Sequence, residues 1–394
     1  MEEQILEING DADLEDAGTL GFGENRNNGE RDVYPAKIKI DRAQFSIFEL
    51  KRRYSRGAIC LDPDFQRNYV WKTKQKSELI ESVLMGIPLP LIYLAETMEG
   101  NLVIVDGRQR LTTFFDYMDN KFRLDGLKIL TELNGYLFHE LDDDEKMRRY
   151  AADIEDFQLV IQIIKYPTPD RVRFDIFDRV NRGGTPLNNQ EMRNALYQGK
   201  STRLLNTLSE TGEFKRATGN SVSPVHMKDK YIILRAAAFY LFWEERLVKY
   251  SGEKVIYKSD IEEFLGCTME LLNRMEDREI QEIQGLFGRV MKKTRDVLGE
   301  NAFRIPTDGT RRRPISMTLF ESLFYFFAKL SEGECGLDPI EIRSAVEEML
   351  EDSIFLDALT YNVDSKVQME KRFQVVMKKY KELIHVKQDI SGRL

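Results

Sequence analysis

Val103-Ile-Val-Asp-Gly-Arg-Gln-Arg-Leu-Thr-Thr-Phe-Phe115 is the stretch on which the reading of the fold turns. Leu102-Val-Ile-Val105 is a continuous apolar run of strand length, the pattern of a strand covered on both faces. From Leu111 the period changes: Leu111, Phe114, Phe115 and Met118 fall at i, i+3, i+4 and i+7, the buried stripe of a helix. Arg108, Gln109, Thr112 and Thr113 then lie away from that stripe, with Arg110 at its flank. Gly107 lets the backbone turn tightly from strand to helix and lets a ligand approach it closely.

The N–H groups and positive dipole end of the first helical turn favour an anion, and two arginines add charge-assisted contacts, so a phosphate suits this turn. Asp106 stands at the carboxyl end of the strand, where open α/β sheets bind ligands. A carboxylate beside phosphates repels them unless it holds Mg²⁺, directly or through water, or positions an attacking water. The residues alone leave a plainer reading open, in which Asp106 caps the helix and the arginines pair with surface acids. There is no GxxxxGK[ST] loop to decide between them.

Outward from this unit, Leu91-Ile-Tyr-Leu94 and Phe157-Gln-Leu-Val-Ile-Gln-Ile-Ile164 read as strands, and Lys37-Ile-Lys-Ile-Asp41 alternates as a short one. A helical stretch from Phe45 to Tyr54 follows the last of these. Thr73 is placed to cap a helix carrying Leu79, Ile80, Val83, Leu84 and Ile87, which Gly86 and Pro88 end. Beyond Pro169 the period is helical, with stretches near 188–215, 228–247, 258–298, 315–330, 339–351 and 365–386. The expected architecture is α+β: a leader over 1–36, a mixed α/β domain over 37–200 and a helical domain over 201–394.

Charge and composition narrow the class. The chain has 394 residues, 42% hydrophobic and 31% charged, which fits a globular protein with a true core. Its net charge of -8 arises in residues 1–36, where ten acids face Arg26 and Arg31, so the rest of the chain is neutral. An acidic leader therefore does not argue against nucleic acid elsewhere. No apolar run reaches the ~18 residues of a membrane span, and the start lacks a secretion signal, so a cytoplasmic protein is expected. Cys60, Cys267 and Cys335 form no CxxC pair and read as reduced thiols.

Two further clusters carry polar side chains. In Phe65-Gln-Arg-Asn-Tyr-Val-Trp71, Gln66 and Arg67 can hold a base or a phosphate, with Tyr69 and Trp71 as a stacking surface, or the aromatics are simply core and Arg67 pairs with an acid. In Phe177-Asp-Arg-Val-Asn-Arg-Gly-Gly-Thr-Pro-Leu-Asn-Asn-Gln-Glu-Met-Arg193, paired glycines end a helix and open a loop that binds or merely connects. Basic clusters at Lys51-Arg-Arg53 with Arg56, at Lys292-Lys-Thr-Arg295, and at Arg311, Arg312 and Arg313 are candidates for DNA phosphates, against the plainer reading of solvated faces.

In order, these clusters resemble the N-terminal domain of GmrSD-type modification-dependent restriction enzymes, a branch of the ParB and sulfiredoxin superfamily. The resemblance rests on Asp64-Phe-Gln-Arg67 with Val70-Trp71, Leu79-Ile-Glu-Ser-Val-Leu84 with Gly86-Ile-Pro-Leu-Pro90, Val105-Asp-Gly-Arg-Gln-Arg-Leu-Thr-Thr113, and Asn181-Arg-Gly-Gly-Thr-Pro-Leu187 with Gln190-Glu-Met-Arg193. It implies a ParB-like domain that binds and hydrolyses a nucleoside triphosphate with Mg²⁺ in a restriction or anti-phage system. Asp106 and Gly107 match the start of the family's DGQQR motif, Gln109 and Arg110 its end; Arg108 departs from it. The implied roles are Asp106 and Arg110 as catalytic residues, Asp106 also on the metal, and Gln66, Arg67, Gly107, Arg108, Gln109, Thr112, Asn181 and Arg182 on the nucleotide. His139, His226 and His385 are isolated, without the spacing of an HNH nuclease, so a separate nuclease subunit is the expected partner. A nucleotide or DNA sensor without turnover, and a ParB-like metal-dependent nuclease, are the alternatives.

Overall fold

The computed structural model describes residues 39–61, 71–97, 99–180, 188–307, 313–332 and 337–391. They fall into two units, one within Asn28–Leu187 and one within Asn188–Leu394. The architecture is α+β, with a mixed sheet and helices in the first unit and helices in the second.

Five strands build the first unit's sheet: β1 (Ile40–Ser46), β2 (Ile59–Cys60), β3 (Ile92–Glu96), β4 (Leu102–Asp106) and β5 (Gln158–Ile164), in the order β1-β5-β3-β4-β2. β1 is antiparallel to β5, β5 parallel to β3, β3 antiparallel to β4, and β4 parallel to β2. Because β2 and β4 run the same way, the chain leaves both at the same end of the sheet. Asp106 sits at that end. The expected apolar strand at 102–105 is there, with Leu102, Val103, Ile104 and Val105 all buried.

Helices α1 (Ile47–Ser55), α2 (Thr73–Leu84), α3 (Arg108–Met118), α4 (Phe138–Asp143), α5 (Arg148–Asp156) and α6 (Asp170–Val180) complete this unit. One core joins Ile47 and Leu50 of α1, Ile80 and Val83 of α2, Leu111 and Phe114 of α3, and Ile92, Leu94 and Ile161 of the sheet. Each such side chain contributes about 1.5–3 kcal/mol when fully buried.

Three local expectations are corrected. The first strand runs further than 37–41: Ile40 and Asp41 open β1, which continues to Ser46 in seven residue pairs with β5, while residues 37 and 38 lie outside the described residues, and α1 starts only at Ile47. Ser46 sets that start by accepting the Glu49 N–H at 3.1 Å. Thr73 is the first helical residue and not the cap; Lys72 is the cap, and its N–H donates to the Gln75 side chain at 3.0 Å. Thr113 is fully buried, as is Tyr117, because α4 and the segment before it cover a second side of α3. Tyr117 packs its ring on Phe122 and, edge-on, on Phe138 of α4.

Ten helices form the second unit among the described residues: α7 (Asn189–Leu196), α8 (Lys200–Glu210), α9 (Gly212–Thr218), α10 (Lys228–Trp243), α11 (Ile261–Arg274), α12 (Asp277–Leu298), α13 (Met317–Glu332), α14 (Pro339–Glu351), α15 (Ser353–Thr360) and α16 (Lys366–Ser391). No described helix is long and apolar enough to cross a membrane. α10 is buried from Tyr231 through Leu241 without a break, so it is the central helix, with α7, α8, α11 and α13 packed around it.

The centre of this unit is ionic. Arg235 of α10 donates to Glu321 of α13 at 2.7 Å and to Asp364 at 2.8 Å, and Arg372 of α16 pairs with the same Glu321. Arg235, Glu321 and Arg372 are wholly buried and Asp364 nearly so, giving two cations and two anions. Tyr257 closes the group by donating its hydroxyl to the Asp364 carbonyl at 2.7 Å. Burial pushes the nearby Tyr231 phenol up to about 12, Arg235 opposing the shift.

A neutral buried set of this kind contributes little net stability, whereas removing one member leaves an uncompensated charge. Glu321→Ala strands two guanidiniums against each other and is expected to lower the stability of the helical unit by about 3–5 kcal/mol. Urea denaturation of the full chain, followed by Trp243 fluorescence against a Trp71→Phe background, measures this; a loss under about 1 kcal/mol would mean that the guanidiniums reach water instead.

Candidate anion and nucleotide site at the end of β4

The turn that follows β4 is built by a bulge and a glycine. Leu94 of β3 opposes Ile104, but Tyr93 opposes Asp106, so β4 carries one extra residue just before the turn. Such a bulge re-aims the side chain beside it. Gly107 then adopts φ 98° and ψ 10°, the left-handed region that costs other residues about 1–2 kcal/mol. Its neighbourhood excludes a side chain as well: a Cβ would lie 2.8 Å from Cγ1 of Ile92.

Gly107 is the N-cap of α3 and offers no side chain to the first-turn N–H groups. The dipole at that end favours an anion. Asp106 does not cap the helix. Its Oδ2 accepts from Nη2 of Arg110 at 2.8 Å, an i,i+4 ion pair across the strand-to-helix turn. The carboxylate side chain keeps 34% of its surface exposed, against 12% for Arg110. Among the described residues no other group is bonded to the Asp106 carboxylate.

Arg110 has further partners. Its Nη1 donates to the Pro90 carbonyl and its Nη2 to the Leu91 carbonyl at 3.2 Å, on the segment that enters β3. Burial pushes this guanidinium below its ordinary value while Asp106 pulls it back up; an arginine remains cationic under both influences. The sequence reading missed this clamp. An acid followed four residues later by an arginine was the available signal.

Gly107 is buried, while Arg108, Gln109 and Thr112 are half-buried on the first two turns of α3. Gln66 and Arg67, Asn181 and Arg182, and Arg311 and Arg312 lie outside the described residues; Arg313 is described and exposed. β2, paired in parallel with β4 through Ile59 opposite Leu102 and Cys60 opposite Val103, runs into the segment that carries Gln66 and Arg67. α6, which runs into Asn181 and Arg182, packs against β4. Within α6, Arg173 is only 5% exposed, a buried cation that the sequence reading did not single out.

Gln190 and Arg193, at the end of the fourth cluster, belong to the helical unit. Arg193 is wholly buried, paired with Gln190 and Glu262 and lying over the Tyr231 ring at 5.5 Å. Its place is in the core of that unit.

A mixed sheet whose strand β4 ends in a bulge, a partly exposed carboxylate and a left-handed glycine capping a helix defines this α+β domain. Residues 47–198 match the family described as GmrSD restriction endonuclease, N-terminal domain. Among curated proteins none matches the chain.

Arg110→Lys keeps the charge but cannot reach Asp106 and two carbonyls together. It is expected to lower the stability of the first unit by about 1–2 kcal/mol, and Gly107→Ala by about 1–3 kcal/mol from backbone strain and the Ile92 contact. Chemical denaturation of the full chain, watching Trp71, reads both; wild-type stability in Gly107→Ala would show that the turn is not held at positive φ.

Proposed function

We propose that the N-terminal unit binds a nucleoside triphosphate at the turn after β4 and hydrolyses it with Mg²⁺, as a component of a restriction or anti-phage system. The observation that carries this reading is the pairing of a half-exposed carboxylate, Asp106, with an uncapped helix start, Gly107 to Arg110, at one sheet end. The family match supports the restriction setting, and DNA is the macromolecular partner it suggests. Among the described residues no group of three or more His, Cys, Asp or Glu could hold a metal ion, so the described part of the site offers a cation few protein ligands. Mg²⁺ binds in that manner, through one or two carboxylates with water and substrate phosphates.

In this reading the first turn of α3 receives the phosphates, with Arg108 adding charge and Gln109 and Thr112 as hydrogen-bonding groups of the same two turns. Gln66, Arg67, Asn181 and Arg182 come to the nucleotide from the flanking segments. Asp106 has one oxygen on Arg110 and can direct the other to a hydrated cation or to the attacking water. Mg²⁺, when bound, would neutralise charge developing on the phosphate oxygens. Arg110 acts through Asp106, fixing its carboxylate and the Pro90–Leu91 segment, so it is a positioning residue in this scheme. His139 is bonded to Asn120 in the first unit and His226 to Glu191 in the second, and His385 lies on α16; DNA cleavage is assigned to a separate subunit.

One observation favours a second reading, a sensor that binds without turnover: the Asp106–Arg110 pair is already neutral, as a purely structural clamp would be. Phosphate release from ATP, GTP, CTP and UTP with Mg²⁺, with and without DNA, separates the two. The near-isosteric Asp106→Asn is expected to cut release by about 10²-fold or more at unchanged nucleotide affinity, and Arg108→Ala to weaken affinity. Binding in calorimetry without release supports the sensor. Neither binding nor release with any of the four nucleotides ends both readings.

A further inference from the structure

Of the four cations that crowd α1, two are paired with acids among the described residues and two are not. Lys51 pairs with Asp119 at 2.6 Å and lies over the Phe115 ring, and Arg53 pairs with Glu49 at 2.7 Å and lies 4.5 Å from the Phe45 ring centroid. Arg52 and Arg56 are exposed, and among the described residues their guanidiniums meet no acid. Glu49, the one acid of α1, is taken up by Arg53. Phe48, 53% exposed, stands four residues before Arg52. At ~100° per residue, Phe48, Arg52, Ser55 and Arg56 span an arc of about 100°, opposite the buried Ile47 and Leu50.

We propose that this stripe of α1 is a docking surface for a single strand of DNA, with Arg52 and Arg56 on its phosphates and the Phe48 ring stacked on a base. The two arginines call for a polyanion. The exposed ring between water and cations selects among polyanions, because single strands offer base faces for aromatic stacking whereas a duplex keeps them inside. A cationic C-terminal turn also complements the helix dipole, but that role gives no reason for an exposed phenylalanine on the same stripe.

The topology keeps this surface apart from the β4 turn. α1 starts after Ser46, which opposes Gln158 at the same sheet end as Asp106. The chain after α1 is at the other end, where Leu102 at the start of β4 donates its N–H to the Ala58 carbonyl at 2.9 Å. The length of β4, about 13 Å, therefore separates Arg56's end from Asp106. At Arg56's end Glu96 is bonded to Lys165, leaving Glu99 as the exposed carboxylate of the β3–β4 turn. A bound strand and a bound nucleotide would not compete.

The test is fluorescence anisotropy of a labelled oligonucleotide of about 20 residues with the full chain, from about 50 to 200 mM salt. Arg52→Ala/Arg56→Ala is expected to weaken binding about tenfold or more and to flatten the log–log salt slope by about 1.4, about 0.7 for each lost phosphate contact. Phe48→Ala should weaken binding about tenfold with the slope unchanged. Neither change should alter denaturation or nucleotide affinity. The proposal does not require turnover at Asp106: strand binding in a protein that releases no phosphate leaves it standing. It is overturned if the wild type binds no single strand, if the variants bind as the wild type does, if duplex of the same sequence binds more tightly and ignores Phe48→Ala, or if polyglutamate of equal charge displaces the strand.

Discussion

One guanidinium holds the strand-to-helix turn of the first unit together. Arg110 reaches back along α3 to the Asp106 carboxylate and sideways to the Pro90 and Leu91 carbonyls, so the end of β4, the start of α3 and the entry to β3 share one set of hydrogen bonds. The register shift opposite Tyr93 and the left-handed Gly107 both lie inside that set. Each is a local conformation that an isolated chain would not keep. The clamp and the Ile92 packing beneath it are what maintain them.

This arrangement alters what the motif means chemically. A carboxylate beside phosphates is a liability unless its charge is balanced, and here Arg110 already balances it. Arg110 is spent on that task; Arg108, half-buried at the start of α3, is the other cation of the turn.

The helical unit follows a different rule. Its centre is an ion-pair group of Arg235, Glu321, Asp364 and Arg372, extended toward α7 by Arg193 over Tyr231. Burial raises the Glu262 carboxyl, Arg193 working against the shift, and the same guanidinium also donates to Gln190. Charges placed so deeply specify which helices meet more than they add stability. The Gln190 to Arg193 segment, which looked like part of a ligand motif, is committed to that role.

Much of the fold was legible along the chain. The apolar runs at 91–94, 102–105 and 157–164 and the helical periods beyond 188 follow from side-chain repeats of two and 3.6, which need only neighbours in sequence. The carboxylate, the glycine and the basic turn after β4 were legible for the same reason. What periodicity does not carry is partnership at a distance. That Thr113 is buried depends on α4 covering a second side of α3; that Arg110 faces inward depends on carbonyls about twenty residues away; that Gln190 and Arg193 are core depends on α10 and α11. Of the four cations around α1, sequence showed only a cluster, and Asp119, Glu49 and two aromatic rings decided which were spent. Sequence determined the elements and the chemistry available at the turn, because both are local; tertiary structure decided which charges remain for a ligand, because burial and pairing join residues that only folding brings together.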